Sequence, residues 1–147
     1  MILSSAPQIR YPDCYGIDMS KMGDFIAFNA AVEILKDRGK EDLLQELWQK
    51  CKDLKADGLL HTENVVQQVY KSSTSTEISY KIAEMITPKG LEIPVQVIFQ
   101  SIEDLHKACP NNLGDWYFTG NYPTSGGNRV VNQAFMNYME GKNERGY

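Results

Sequence analysis

The chain has 147 residues, 42% of them hydrophobic and 23% charged, a balance that suits one globular domain or part of one. Its formal net charge is -4, and Lys and Arg lie scattered among Asp and Glu, so no stretch is built for nucleic acid or for anionic lipid. No apolar run approaches the roughly 20 residues that cross a bilayer, and residues 1–7 carry neither a basic n-region nor a cleavage site, so a soluble cytoplasmic protein without membrane contact is expected.

The opening Ile2-Leu3-Ser4 reads as the end of a buried strand entering a loop, because a short apolar run meets Pro7 and then Pro12. An amphipathic helix is predicted over 21–38, with Ser20 as N-cap, Phe25, Ile26, Ala30, Ile34 and Leu35 inward, and Gly39 as the stop. Leu43, Leu44, Leu47, Trp48, Cys51 and Leu54 recur at helical spacing and predict a second helix over 41–55, ended by Asp57-Gly58. Thr62 is then the expected cap of a helix of one to two turns reaching Tyr70, and residues 71–76 read as an exposed polar loop. Ile78, Ile82, Met85 and Ile86 form another helical stripe that stops before Pro88.

Residues 95–99 alternate as a strand should, and Ser101, with Asp104 three positions on, caps the helix that Pro110 terminates. A strand running directly into a helix marks an α/β fold. After an Asn/Gly turn, Trp116-Tyr117-Phe118 is a packed apolar step, Asn128 caps a last helix carrying Val130, Val131, Ala134, Phe135 and Tyr138, and residues 141–147 fray. The three cysteines, Cys14, Cys51 and Cys109, are odd in number and far apart, which fits reduced thiols.

Recognisable catalytic motifs are missing. His61 and His106 stand alone, without the neighbours that build a metal site. There is no Gly-x-Ser-x-Gly elbow, Walker loop or dinucleotide glycine fingerprint. Three features remain. Tyr15-Gly16-Ile17-Asp18-Met19-Ser20, taken alone, reads as a structural turn. Thr124-Ser125-Gly126-Gly127-Asn128-Arg129 reads as a hinge and helix start, although its free N–H groups, two glycines and arginine could hold a phosphate or carboxylate. Trp116, Tyr117, Phe118 and Tyr122 could stack a base but more simply fill core.

Ser5-Ala6-Pro7-Gln8-Ile9-Arg10-Tyr11-Pro12-Asp13-Cys14-Tyr15-Gly16-Ile17-Asp18-Met19 resembles the stretch that follows the phosphoribosyl-diphosphate loop in glutamine-dependent amidophosphoribosyltransferases. Asp24-Phe25-Ile26-Ala27 is similar to the helix after that motif. Val97-Ile98-Phe99-Gln100-Ser101-Ile102-Glu103-Asp104-Leu105 resembles a strand–helix pair near the family's end, and Phe118-Thr119-Gly120-Asn121-Tyr122-Pro123-Thr124 resembles the C-terminal segment of the branch that carries an iron–sulfur cluster.

The resemblance implies an α/β, predominantly helical chain forming the C-terminal part of a type I phosphoribosyltransferase domain. It divides into a family-like segment over 1–38, a helical insertion within 39–94 and a family-like segment over 95–147. The implied enzyme is a glycosyltransferase of purine biosynthesis that makes 5-phosphoribosylamine from phosphoribosyl diphosphate and glutamine. Its glutaminase cysteine and its acidic substrate loop lie upstream of Ile2, so no catalytic residue is expected here and the isolated chain is expected to be inactive. Magnesium is expected with phosphoribosyl diphosphate in the full enzyme, and no cofactor or metal ligand in this chain. The positions matching the cluster's cysteine ligands hold Asp13, Asn111, Gly114 and Tyr117, while Cys14 and Cys109 fall off register, so no iron–sulfur cluster is expected. Phe25 stands where the family lines its ammonia channel. The implied partners are the enzyme's upstream domains, further copies of the same chain and a purine nucleotide. Two other readings stay open: a stand-alone module binding an anion such as a nucleotide phosphate at Gly126, Gly127, Asn128 and Arg129, and an assembly module whose last helix docks a partner.

Overall fold

The densest apolar stripe of the sequence becomes the centre of the molecule. In the computed structural model, which describes residues 1–14, 19–112 and 114–147, helix α1 (Ile26–Asp37) is buried along most of its girth through Ala27, Phe28, Ala30, Ala31, Val32, Ile34 and Leu35. Its small residues let other helices approach closely, and its large ones fill the space between them. Phe28 meets Phe135 and Tyr138 edge to face, at centroid distances of 6.2 and 4.9 Å. Burying a phenylalanine side chain is worth about 2 to 3 kcal/mol, and edge-to-face pairs add to that.

The single helix expected over 21–38 is broken at its start. Met22–Asp24 form a 3-10 turn, and Phe25 is extended, at φ -85° and ψ 110°, before α1 begins. Ser20 therefore does not cap α1. The break lets the Phe25 ring enter the core while Ile26, expected inward, stays 40% exposed. Asn29 Nδ2 donates to the Gly23 carbonyl at 2.9 Å and ties the turn to the helix. The far end follows the expectation: Gly39 lies at φ +64°, its N–H reaches the Lys36 carbonyl, and the Lys40 N–H reaches that of Leu35.

Helix α2 (Asp42–Ala56) packs along the last helix, α7 (Ser125–Met139), and α4 (Ser75–Ile86) packs along α1. Between them Thr62 does not cap; its hydroxyl donates back to the Leu59 carbonyl, and only Gln67–Tyr70 form a helical turn, α3. Residues 71–76, expected as a loop, are half helix start. Thr74 accepts the Glu77 N–H, and the Glu77 carboxylate accepts the Thr74 N–H in return, a capping box that competes successfully with loop structure. The segment 39–94 is no appendage, because Leu44, Leu47, Cys51, Val65, Val69, Ile78 and Ile82 join one core with α1 and α7.

Strands β1 (Ile2–Ser4) and β2 (Val97–Phe99) pair in parallel, Ile2 opposite Val97 and Ser4 opposite Phe99. This two-stranded sheet and its helices make the fold α/β and largely helical. The buried strand expected at the start is a strand, but it is not buried: Leu3 is 65% exposed and Ile98 39%. α4 lies against β2, and among the described residues no second layer covers the other face, whereas parallel sheets usually carry helices on both. Ser101 caps α5 (Ile102–Ala108) through the Asp104 N–H, as its spacing predicts.

Helix α6 (Trp116–Thr119) is one turn. α7 starts earlier than expected, with Thr124 and not Asn128 as N-cap. The tail does not fray: Asn137 Nδ2 donates to the Arg145 carbonyl at 3.0 Å, and Gly146 is buried so tightly on α7 that a Cβ there would stand 2.4 Å from the Val130 carbonyl oxygen. No helix among the described residues is long and apolar enough to cross a membrane.

Candidate functional site

The two outer motifs of the sequence meet. The strand exit at Gln8–Asp13 runs beside α6 and the turn after it, and the N–H groups of Arg10 and Tyr11 both donate to the Tyr117 carbonyl, at 2.8 and 3.2 Å. The Tyr117 hydroxyl donates to Asp13 Oδ1 at 3.0 Å, and the Tyr122 hydroxyl to the Pro12 carbonyl. Gly120 closes the joint. Its φ of +76° makes the turn, and its bare Cα lies against the Tyr11 ring, where a Cβ would come within 2.8 Å of Cζ. The middle segment supports the same joint, since Asn64 donates to the Gly120 carbonyl, Gln67 to that of Thr119 and the Tyr70 hydroxyl to that of Arg10.

The electrostatics are those of a packed junction. Burial holds the phenols of Tyr70, Tyr11 and Tyr122 above their ordinary range, so each stays neutral. Tyr117 is raised as well, by burial and then by its bond to Asp13. The Tyr11 and Tyr70 rings meet edge to face at 5.3 Å, and the Arg10 guanidinium sits 5.1 Å from the Tyr70 ring centre. Nothing in this arrangement activates a nucleophile; it orients backbone and presents Arg10.

The residues that the sequence singles out do not form one site. Phe25 is 3% exposed and fills the core of this chain. Gly126, Gly127, Asn128 and Arg129 lie in the first turns of α7. Gly127 is pressed against Tyr122, with room for no Cβ, since one would fall 2.3 Å from the ring. Asn128 Nδ2 donates to the His61 carbonyl at 3.2 Å. Arg129 lines a cavity of about 460 Å³, shared with Lys55, His61, Gln133 and Arg145. The turn at residues 15–18, and Leu113 beside the cluster-matching positions Asn111 and Gly114, lie outside the described residues. Sequence reasoning missed Gln8, Arg10, Asn64 and Asn132. A polar residue alternating in an extended run, or an asparagine inside an apolar helical stripe such as 130–136, is the signal that could have found them.

No protein-family model, curated protein or solved structure matches this chain.

Proposed function

We propose that the chain is the C-terminal part of a glutamine-dependent amidophosphoribosyltransferase, the enzyme that joins ammonia from glutamine to phosphoribosyl diphosphate. The observation that carries this reading is the hydrogen bond between Asp13 and Tyr117. The resemblance matches both positions to ligands of a single iron–sulfur cluster, which demands that residues 104 apart in sequence be neighbours in space, and they are. Around them the two motif segments are tied by backbone bonds from Arg10 and Tyr11. A cluster itself does not fit: a carboxylate and a phenol already bonded to each other stand where thiolates are needed. In this reading the direct bond does the fastening that the cluster does in its own branch.

A second feature agrees. A parallel sheet whose apolar face is left uncovered among the described residues suits strands that a further layer of a larger enzyme covers, as the phosphoribosyltransferase reading allows. Magnesium and phosphoribosyl diphosphate would then be held by the upstream loop, with this chain packed beneath them.

An antibody raised against the chain tests this in two steps. On an immunoblot of the source cells, a band well above 16.7 kDa is expected. The antibody should also deplete glutamine- and phosphoribosyl-diphosphate-dependent diphosphate release from the lysate. A band at the chain's own mass, or undiminished activity after depletion, would overturn the proposal.

A further inference from the structure

We propose that the cleft along β2 takes an extended peptide segment of a partner protein, which joins the sheet as a third strand. The cleft measures about 430 Å³, and every residue from Gln96 to Glu103 lines it. Successive side chains of a strand point to opposite faces, so a cavity over one face touches only alternate residues. A cavity that touches Gln96, Val97, Ile98 and Phe99 in turn lies at the strand's edge. No residue of β1 lines it, so the edge is the one that β1 leaves open.

The backbone at that edge is unpaired. The Ile2 N–H donates to the Gln96 carbonyl at 2.7 Å, and Ile2 stands opposite Val97. In a parallel ladder this register turns both backbone groups of Ile98 toward β1, and both groups of Val97 and of Phe99 the other way, toward the cleft. Among the described residues nothing bonds those four groups. An open row of donors and acceptors is a template for another strand, and a sheet of only two strands gains most from a third.

The other wall favours a strand over other occupants. α4 supplies Ser75, Thr76, Ser79 and Tyr80 from its first turns, so the cleft is a slot between a strand edge and a helix. Its side chains are largely engaged already. Ser79 Oγ donates to the Ser75 carbonyl, Ser75 Oγ accepts from Arg10 Nη2 at 2.9 Å, and Ser101 Oγ donates to Asp104. Arg10 and Glu103 are the charged residues of the lining, one of each sign, so the slot offers an ion no net charge. What it offers is main chain, and main-chain pairing is how a sheet edge recognises an extended peptide. Leu3 and Ile98 stand side by side on the exposed face of the sheet, so an apolar side chain on the added strand beside Ile98 would extend their row. The residues before and after it would point toward the α4 hydroxyls and suit small or polar side chains. A second copy of the chain fits less well: its β2 edge lies within a slot of its own, and its β1 edge would join head to tail, a contact that repeats without closing.

This inference does not rest on the family reading and stands or falls on the chain alone. The test is titration of the 15N-labelled chain with an end-blocked heptapeptide of alternating valine and serine, and with its fully N-methylated form, which keeps the side chains but has no N–H to give. With the first peptide the amides of Val97 and Phe99 should shift saturably and gain protection from hydrogen exchange, while the Ile98 amide, already turned to β1, changes little. The N-methylated peptide should bind more weakly by about tenfold or more. Thr76 is exposed on the α4 wall, and Thr76→Trp should obstruct the slot in a folded protein and weaken the first peptide by a similar factor. Val97 and Phe99 amides left unprotected, equal binding of the two peptides, protection at Leu3 instead, or protection that rises with the chain's own concentration and no peptide would each overturn the proposal.

Discussion

Asn132 and Val65, 67 residues apart in sequence, meet in the middle of the core, where Asn132 Oδ1 accepts the Val65 N–H at 3.0 Å. The same side chain donates through Nδ2 to the carbonyls of Leu60 at 2.9 Å and Glu63 at 2.8 Å. One buried carboxamide thus satisfies three backbone groups in the irregular stretch before α3, groups that no regular ladder serves. Asn132→Leu has nearly the same volume and strands all three. A loss of about 3 kcal/mol or more is expected in urea unfolding, since each orphaned buried group costs about 1 to 3 kcal/mol. An unchanged midpoint would show that the groups find other partners.

The two adjacent glycines of α7 should respond in opposite directions. At Gly126 an added Cβ meets nothing closer than Thr124 Oγ1, at 3.8 Å, whereas at Gly127 it collides with the Tyr122 ring. Gly126→Ala is expected to stabilise by about 0.5 to 1 kcal/mol, the ordinary gain of alanine over glycine within a helix. Gly127→Ala should destabilise by about 1 to 3 kcal/mol and disturb the Tyr122 bond to Pro12. Thermal melts of the two variants check the sign of each.

Acid should loosen the start of α4. The Glu77 carboxyl is held below its ordinary value of 4.5, first by the Thr74 N–H, then by the Thr74 hydroxyl and by Arg38. A carboxylate depressed in the folded state contributes stability that is complete above the ordinary value and fades as pH falls through the lowered one. The Cα shifts of Ser75 and Ile78 should therefore move toward coil on acidification through and below the usual carboxylate range. Glu77→Gln should remove most of that dependence while leaving the hydroxyl half of the cap.

The thiols should separate by burial. Cys51 is fully buried in α2 and its thiol is pushed up to about 12 by that burial, whereas Cys109 is exposed beyond α5. Labelling with an aromatic disulfide at mildly alkaline pH is expected to modify Cys109 first, with Cys51 slower by on the order of a hundredfold or more until denaturant is added. Mass spectrometry of the peptides reads both rates. Comparable rates would place Cys51 in a region that opens easily.

Most helices were legible because their signals are local. Gly39 and Gly58 end α1 and α2 at positive φ, and Ser101 caps α5, all from contacts within a few residues. The failures came where distant residues decide. Phe25 leaves helical geometry because the core takes its ring, and Asn128 surrenders the capping role because its amide bonds the His61 carbonyl 67 residues away. The tail is ordered by Asn137 and Val130, partners that composition does not reveal. The site divides in the same way. The motif at Gln8–Asp13 could be read as a unit, but its contact with Tyr117 belongs to the folded chain, as does the fixing of Arg10 by Ser75.

The sharing of one core by α1, α7 and the intervening segment has a consequence for descent. The inner faces of α1 and α7 are apolar because α2 and α4 cover them. Deleting residues 39–94 in one event would bare both faces at once, and adding them to a shorter ancestor would bring helices with no greasy surface waiting to receive them. A lineage that changes length here must rewrite Ala31, Leu35, Val131 and their neighbours in step. The segment's history should therefore be written as much in the helices that flank it as in its own residues.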